Sequence, residues 1–98
     1  MILLTVTAIF WDGAHQLSGT LELNETKLIF RFDDFKHSHL NLSIMLSDIK
    51  YAKVFLVFNI ARKGLKIETE DGTIDMFVLE DSKAFCIALN NQIKKVSF

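Results

Sequence analysis

Along most of this chain hydrophobic side chains recur at every second position, and that period of two limits the fold more than any other feature. Leu21 and Leu23 alternate with Thr20 and Glu22, and Leu28, Phe30 and Phe32 with Lys27, Ile29 and Arg31. Leu40, Leu42, Ile44 and Leu46 alternate with Asn41, Ser43 and Met45, and Leu65, Ile67 and Thr69 with Lys66, Glu68 and Glu70. Successive side chains of a β-strand point to opposite faces, so each run reads as a strand with one face on a core and the other largely toward water. Asp12-Gly13, Asn24-Glu25, Arg62-Lys63-Gly64 and Asp71-Gly72 separate the runs, and Asp-Gly between two alternating segments is a strong hairpin signal. The runs fall at roughly 2–10, 16–23, 27–32, 40–46, 50–60, 64–70 and 73–79. Seven strands with short connections predict an antiparallel meander or sandwich, not a parallel sheet.

The period changes after Leu79. Asp81 or Ser82 can cap a helix over about 82–95, in which Phe85, Leu89, Gln92, Ile93 and Val96 recur at three- and four-residue steps. Lys94 and Lys95 suit the carboxyl end of its dipole. One apolar stripe of this length is enough to plug the open end of a curled sheet. The expected fold is mainly β: a seven-stranded antiparallel sandwich or partly open barrel capped by one C-terminal helix. Its 98 residues make a single domain, 1–98.

Composition bears on the partners. Eleven Lys and Arg against twelve Asp and Glu leave a net charge of −1, which gives no global pull toward nucleic acid or an anionic membrane. The aromatics alternate into the core with no basic stripe beside them, so nucleic acid is not expected as a partner. One cysteine, Cys86, cannot close an intramolecular disulfide. The apolar stretch Met1 to Trp11 lacks the basic flank and small-residue cleavage site of a signal peptide. It also falls well short of the roughly 20 residues a spanning helix needs. A soluble, cytoplasmic chain is expected.

Several of these segments, taken in order, resemble a known family. They are Gly19-Thr-Leu-Glu-Leu-Asn-Glu-Thr-Lys-Leu-Ile-Phe30, Ile44-x-Leu46-x-Asp48-Ile49, Gly64-Leu-Lys-Ile-Glu-Thr69, Asp71-Gly72 and Phe77-Val78-Leu79 ahead of the helix. The set resembles a GRAM domain, a member of the pleckstrin-homology-like superfamily, over about residues 3 to 95. The resemblance implies the same fold, a habit of binding lipid or protein, and no enzymatic activity. Lipid-binding members grip phosphoinositide head groups with Lys and Arg in the first hairpin. Here Phe10 to Leu23 contains neither, and a phosphate needs cationic or backbone donors around it. No residue is therefore carried over as a head-group ligand.

Catalytic chemistry has few candidates. Asp33-Asp34-Phe35-Lys36-His37-Ser38-His39 places His37 and His39 on one face of an extended segment, the spacing of a metal pair. The same composition suits a polar loop, and the loop reading is preferred. Cys86 reads as a packed small hydrophobe, and His15 is isolated and takes no role. No Ser or Cys elbow, phosphate-cradling Gly loop or paired-carboxylate spacing occurs. Neither an enzyme, a cofactor nor a small-molecule substrate is expected.

The remaining anomaly is apolar. Val54-Phe55-Leu56-Val57-Phe58 is hydrophobic on both faces, and Met1 to Trp11 nearly so. One core cannot bury both faces of a strand in a small sheet with a solvated side. The surplus is covered within the monomer by the helix and first strand, or by another chain; self-association is the preferred outcome. Ile2, Trp11, Phe55 and Val57 are the interface candidates, and a binding module acting through protein contacts as a homo-oligomer is the leading function. The alternative is a peripheral membrane adaptor that touches anionic lipid through Arg62, Lys63 and Lys66 around the turn before the sixth strand, each worth about 1 kcal/mol.

Overall fold

The structure, a computed structural model, describes residues 2–12, 15–33, 41–56 and 63–96. Its elements are β1 (Ile2–Asp12), β2 (His15–Asn24), β3 (Lys27–Phe32), β4 (Leu42–Met45), a 3-10 turn (Leu46–Asp48), β5 (Ile49–Leu56), β6 (Lys63–Thr69), β7 (Ile74–Val78) and α1 (Ser82–Val96). The strands form one sheet in the order β4-β3-β2-β1-β7-β6-β5, and every pairing is antiparallel. This is the expected architecture of seven antiparallel strands followed by one helix.

β1 joins the two halves of the sheet. It pairs with β2 from Ile2 to Asp12, and its segment Ile9–Trp11 also pairs with β7 on the other side. The register keeps each alternating hydrophobic set on one face: Leu21 stands opposite Phe30, Leu28 opposite Ile44, and Leu65 opposite Phe77. Those side chains are buried in one core that both halves share. Phe10, Phe30, Phe32 and Phe77 form an aromatic cluster in it, with ring centroids 5.1 to 6.3 Å apart. Complete burial of a side chain as large as Phe30 or Phe77 stabilises by roughly 1.5–3 kcal/mol.

The helix begins where the chain supplies a cap. Asp81 Oδ1 accepts the Ala84 backbone N–H at 3.3 Å, as an N-cap side chain does. Phe85, Cys86 and Leu89 are buried against the core, and Ile93 and Val96 pack beside it. Polar bonds fix the helix at both ends of its path. Cys86 Sγ and Asn90 Nδ2 donate to the carbonyl of Ala52 at 3.5 and 3.4 Å, and Gln92 Nε2 donates to the carbonyl of Glu25 at 2.9 Å. Ala52 lies on the edge strand β5, so α1 gives that exposed edge a partner.

Leu46 departs from its expected place in a strand. It starts the 3-10 turn instead, yet remains fully buried, so the hydrophobic period is satisfied while the backbone turns from β4 into β5. Two backbone bonds hold that corner: Leu46 N–H donates to Thr26 at 2.9 Å, and Glu70 N–H to Asp48 at 2.8 Å. The β6–β7 turn closes through Gly72, whose φ of 90° suits glycine. The β2–β3 turn is held by Asn24 Oδ1, which accepts from Thr26 and Lys27 N–H at 3.0 and 2.7 Å.

Candidate functional site

The strand register defines the outer face of β5, β6, β7 and the end of β1, the side opposite the core. Phe10 and Phe77 face inward as a pair, so their neighbours Ile9, Trp11, Met76 and Val78 lie on the outer side. Continuing across the sheet gives three rows. Phe55 stands opposite Gly64, Gly64 opposite Val78, and Val78 opposite Ile9. In the next row Lys53 stands opposite Lys66, Lys66 opposite Met76, and Met76 opposite Trp11. The third row is Tyr51, Glu68 and Ile74.

This face is more apolar than a solvated sheet surface requires. Ile74 is 47% exposed, and Ile9, Trp11, Phe55, Met76 and Val78 are half-buried. The ring of Phe55 lies across Gly64 and occupies the space a Cβ there would need. Part of the surplus in the fifth strand is thus covered within the chain by a glycine that makes room for it.

Lys53 and Lys66 interrupt the apolar surface. Directly opposed side chains on adjacent strands have Cβ atoms about 4.5–5.5 Å apart, and like charges there are destabilising. The Lys53 Nζ lies 4.8 Å from the centre of the Tyr51 ring, a cation–π contact. The Tyr51 hydroxyl donates to Glu68 Oε1 at 2.9 Å, and Lys50 stands 3.6 Å from Glu68 Oε2. That bond to Glu68, with a smaller contribution from burial, raises the Tyr51 phenol above its ordinary pKa.

A second feature lies at the far end of the β6–β7 hairpin. A cleft of about 450 Å³ is bounded by Leu42 to Met45 of the edge strand β4 on one side and by Asp48, Thr69 to Asp71, Thr73 and Asp75 on the other. Its ionisable lining is four carboxylates, Asp48, Glu70, Asp71 and Asp75. Asp71 is held below the usual carboxylate range, first by the Thr69 hydroxyl and then by the Thr73 backbone N–H. Asp75 is pushed up by burial and then by the charge of Asp71.

The residues singled out from the sequence fall in different places. Trp11 and Phe55 share the outer face. Ile2, 55% exposed, lies nine residues from Trp11 along β1, about 30 Å away, and does not join them. Lys66 stands midway along β6, across from Lys53, and not at a hairpin tip. The backbone of Lys63 pairs with Leu56. Val57, Arg62, His37 and His39 lie outside the described residues. Among the described residues no three His, Cys, Asp or Glu side chains could together hold a metal ion. Burial raises the Cys86 thiol above its ordinary pKa. Sequence reasoning passed over Lys53, Met76 and Val78 as site residues, although Ile74, Met76 and Val78 alternate visibly with Asp75 and Phe77.

No protein-family model and no curated protein matches the chain. Solved structures do. The C-terminal domain of an unknown protein from Leishmania infantum is similar at a TM-score of 0.84, over 95% of this chain and 84% of that one, with 15% sequence identity. The Vps36 N-terminal PH domain is similar at a TM-score of 0.79, over 98% of this chain and 80% of that one, with 16% identity. The fold is pleckstrin-homology-like. At these identities the likeness is one of fold, and a pleckstrin-homology-like frame does not by itself assign a ligand. Within that frame the β1–β2 hairpin from Phe10 to Leu23 carries no Lys or Arg, while Lys53 and Lys66 lie on the opposite half of the sheet. Among the described residues no helix is long and apolar enough to cross a membrane.

Proposed function

We propose that this chain is a non-catalytic binding module of the GRAM type, a single pleckstrin-homology-like domain over residues 1–98. It works in the cytoplasm through protein contact on the outer face of β5, β6 and β7, and a second copy of itself is the partner. It needs no cofactor and turns over no small molecule. The observation that carries this reading is the solvent side of β7: Ile74, Met76 and Val78 are all apolar, with Trp11 directly beside Met76 and Phe55 beyond Gly64 from Val78. Leaving one such side chain in water forfeits roughly 1.5–3 kcal/mol, and contiguous apolar patches on small proteins mark interaction surfaces.

Light scattering on eluting protein tests it. The wild type is expected to run at twice the chain mass at high concentration and Met76→Glu at the chain mass, with the same circular dichroism. A wild type of single-chain mass throughout, or a Met76→Glu protein of unchanged mass, would reject the reading.

A second reading, attachment to an anionic membrane, is favoured by the side-by-side position of Lys53 and Lys66 on an apolar face. Two lysines contribute only about 2 kcal/mol at such a surface. Co-sedimentation with neutral and anionic vesicles separates the readings: no pelleting is expected, and salt-sensitive pelleting with anionic vesicles alone would put the membrane first.

A further inference from the structure

The outer face carries cations at one level and the hairpin end carries carboxylates at another, and the spacing of the two sets matches. Lys53 and Lys66 are directly opposite one another on β5 and β6. Arg31 pairs with Glu22 and Lys50 with Glu68, and among the described residues neither Lys53 nor Lys66 takes part in an ion pair. Asp48 and Glu70 are also side by side at the ends of the same two strands, joined by the Glu70 N–H bond to the Asp48 carbonyl. Both are exposed.

Glu70 follows Lys66 by four residues, about 13 Å along the strand. Asp48 precedes Lys53 by five. The register shift between Ile49 and Tyr51 absorbs the extra residue, so the lysine pair and the carboxylate pair stand at the same two levels on both strands. Midway between them lies the row of Glu68 and Ile74.

A face with this arrangement is complementary to itself. In an isologous contact, residue i meets j while j meets i. Resting on the proposed self-association, we infer that two copies of this chain pack outer face to outer face with β6 antiparallel, Lys53 of each copy against Asp48 of the other and Lys66 against Glu70. The two-fold axis then runs between the two sheets along the row of Tyr51, Glu68 and Ile74, and the exposed Ile74 side chain meets its own counterpart. Glu68, on the same axis, already has its carboxylate engaged by Lys50 and the Tyr51 hydroxyl. The lysine pair, a repulsive element within one chain, becomes favourable only in the assembly.

Charge reversal tests the pairing. The variants are Lys53→Glu with Lys66→Glu, and Asp48→Lys with Glu70→Lys. Each alone places like charges opposite one another in the contact, and the dimer dissociation constant is expected to rise about tenfold or more. An equimolar mixture of the two restores both contacts and returns to dimer mass, as does the chain with all four positions reversed. The wild-type dimer weakens between about 0.01 M and about 1 M salt, where the screening length falls from about 30 to about 3 Å. If the wild type associates and neither variant changes its mass, the contact lies elsewhere and this pairing is wrong while self-association stands. If both variants are monomeric and their mixture stays monomeric, the pairing is wrong as well. A monomeric wild type at millimolar concentration overturns both. The neutral variants Lys53→Gln with Lys66→Gln and Asp48→Asn with Glu70→Gln cover a fold disturbed by reversal: each weakens the dimer, and mixing them does not restore it.

Discussion

The Phe55 ring lies over Gly64, its directly opposed partner on β6, and fills the volume a side chain there would take. The pair shows how Phe55, on the outer side of β5, is covered in part without a second core. Gly64→Ala forces a methyl into the ring, an overpacking that costs about 1–3 kcal/mol. Phe55→Ala in the Gly64→Ala background removes the clash, so the double variant is expected to be more stable than additivity of the two single changes allows. Urea denaturation of the four proteins measures the coupling, and additive losses would mean that the ring does not depend on the glycine.

Ser82, in the first turn of α1, is fully buried, and its hydroxyl has no hydrogen-bond partner among the described residues. A buried hydroxyl left unsatisfied costs about 1–3 kcal/mol, and alanine is the better helix former. Ser82→Ala is therefore expected to raise stability by about 1 kcal/mol, seen as a higher urea midpoint with an unchanged slope. A loss of stability would show that the hydroxyl makes a bond that matters.

Cys86 sits on the core side of α1 with its thiol donating to the Ala52 carbonyl, and burial holds its pKa above the ordinary thiol value. The thiolate is the reactive form, so at pH 8 an aromatic disulfide reagent is expected to modify the native protein only as fast as it opens. In denaturant the reaction becomes immediate. Fast modification of the folded protein would contradict the packing of this helix.

Asp75 gives a pH dependence of known sign. Burial and then the charge of Asp71 raise its pKa in the folded state, so the fold favours the protonated acid. Its contribution is fully present below the unfolded value near about 4 and is lost as pH rises through the raised folded value. Asp75→Asn is expected to raise the urea midpoint at pH 7 and to have little effect near pH 4. An equal shift at both pH values would show that ionisation is not the cause.

Much of the fold is legible in the residues because strand alternation and helix periodicity are local signals. Leu21, Phe30, Ile67 and Phe77 announce their inward faces two residues at a time, Asn24 and Gly72 announce turns, and Phe85 and Leu89 announce the helix stripe. Leu46 is not legible, because a buried leucine fits both a strand and the corner that follows it. The candidate site is less visible, since it depends on register between distant segments. Nothing local says that Lys53 stands beside Lys66, that Phe55 covers Gly64, or that one extra residue in β5 brings Asp48 level with Glu70. The basic residues near Gly64 look like one cluster in sequence, yet Lys66 stands midway along β6.

Disulfide cross-linking at Ile74, with the buried Cys86 replaced by alanine, tests the contact between copies most directly. Ile74→Cys is expected to form a covalent dimer on mild oxidation, because the axis brings the two thiols together. Ile87→Cys, at least as exposed but on the outside of α1, is expected to remain a monomer under the same conditions. No cross-link at Ile74, or cross-linking at both positions to the same extent, would contradict an interface on the outer face of β5, β6 and β7.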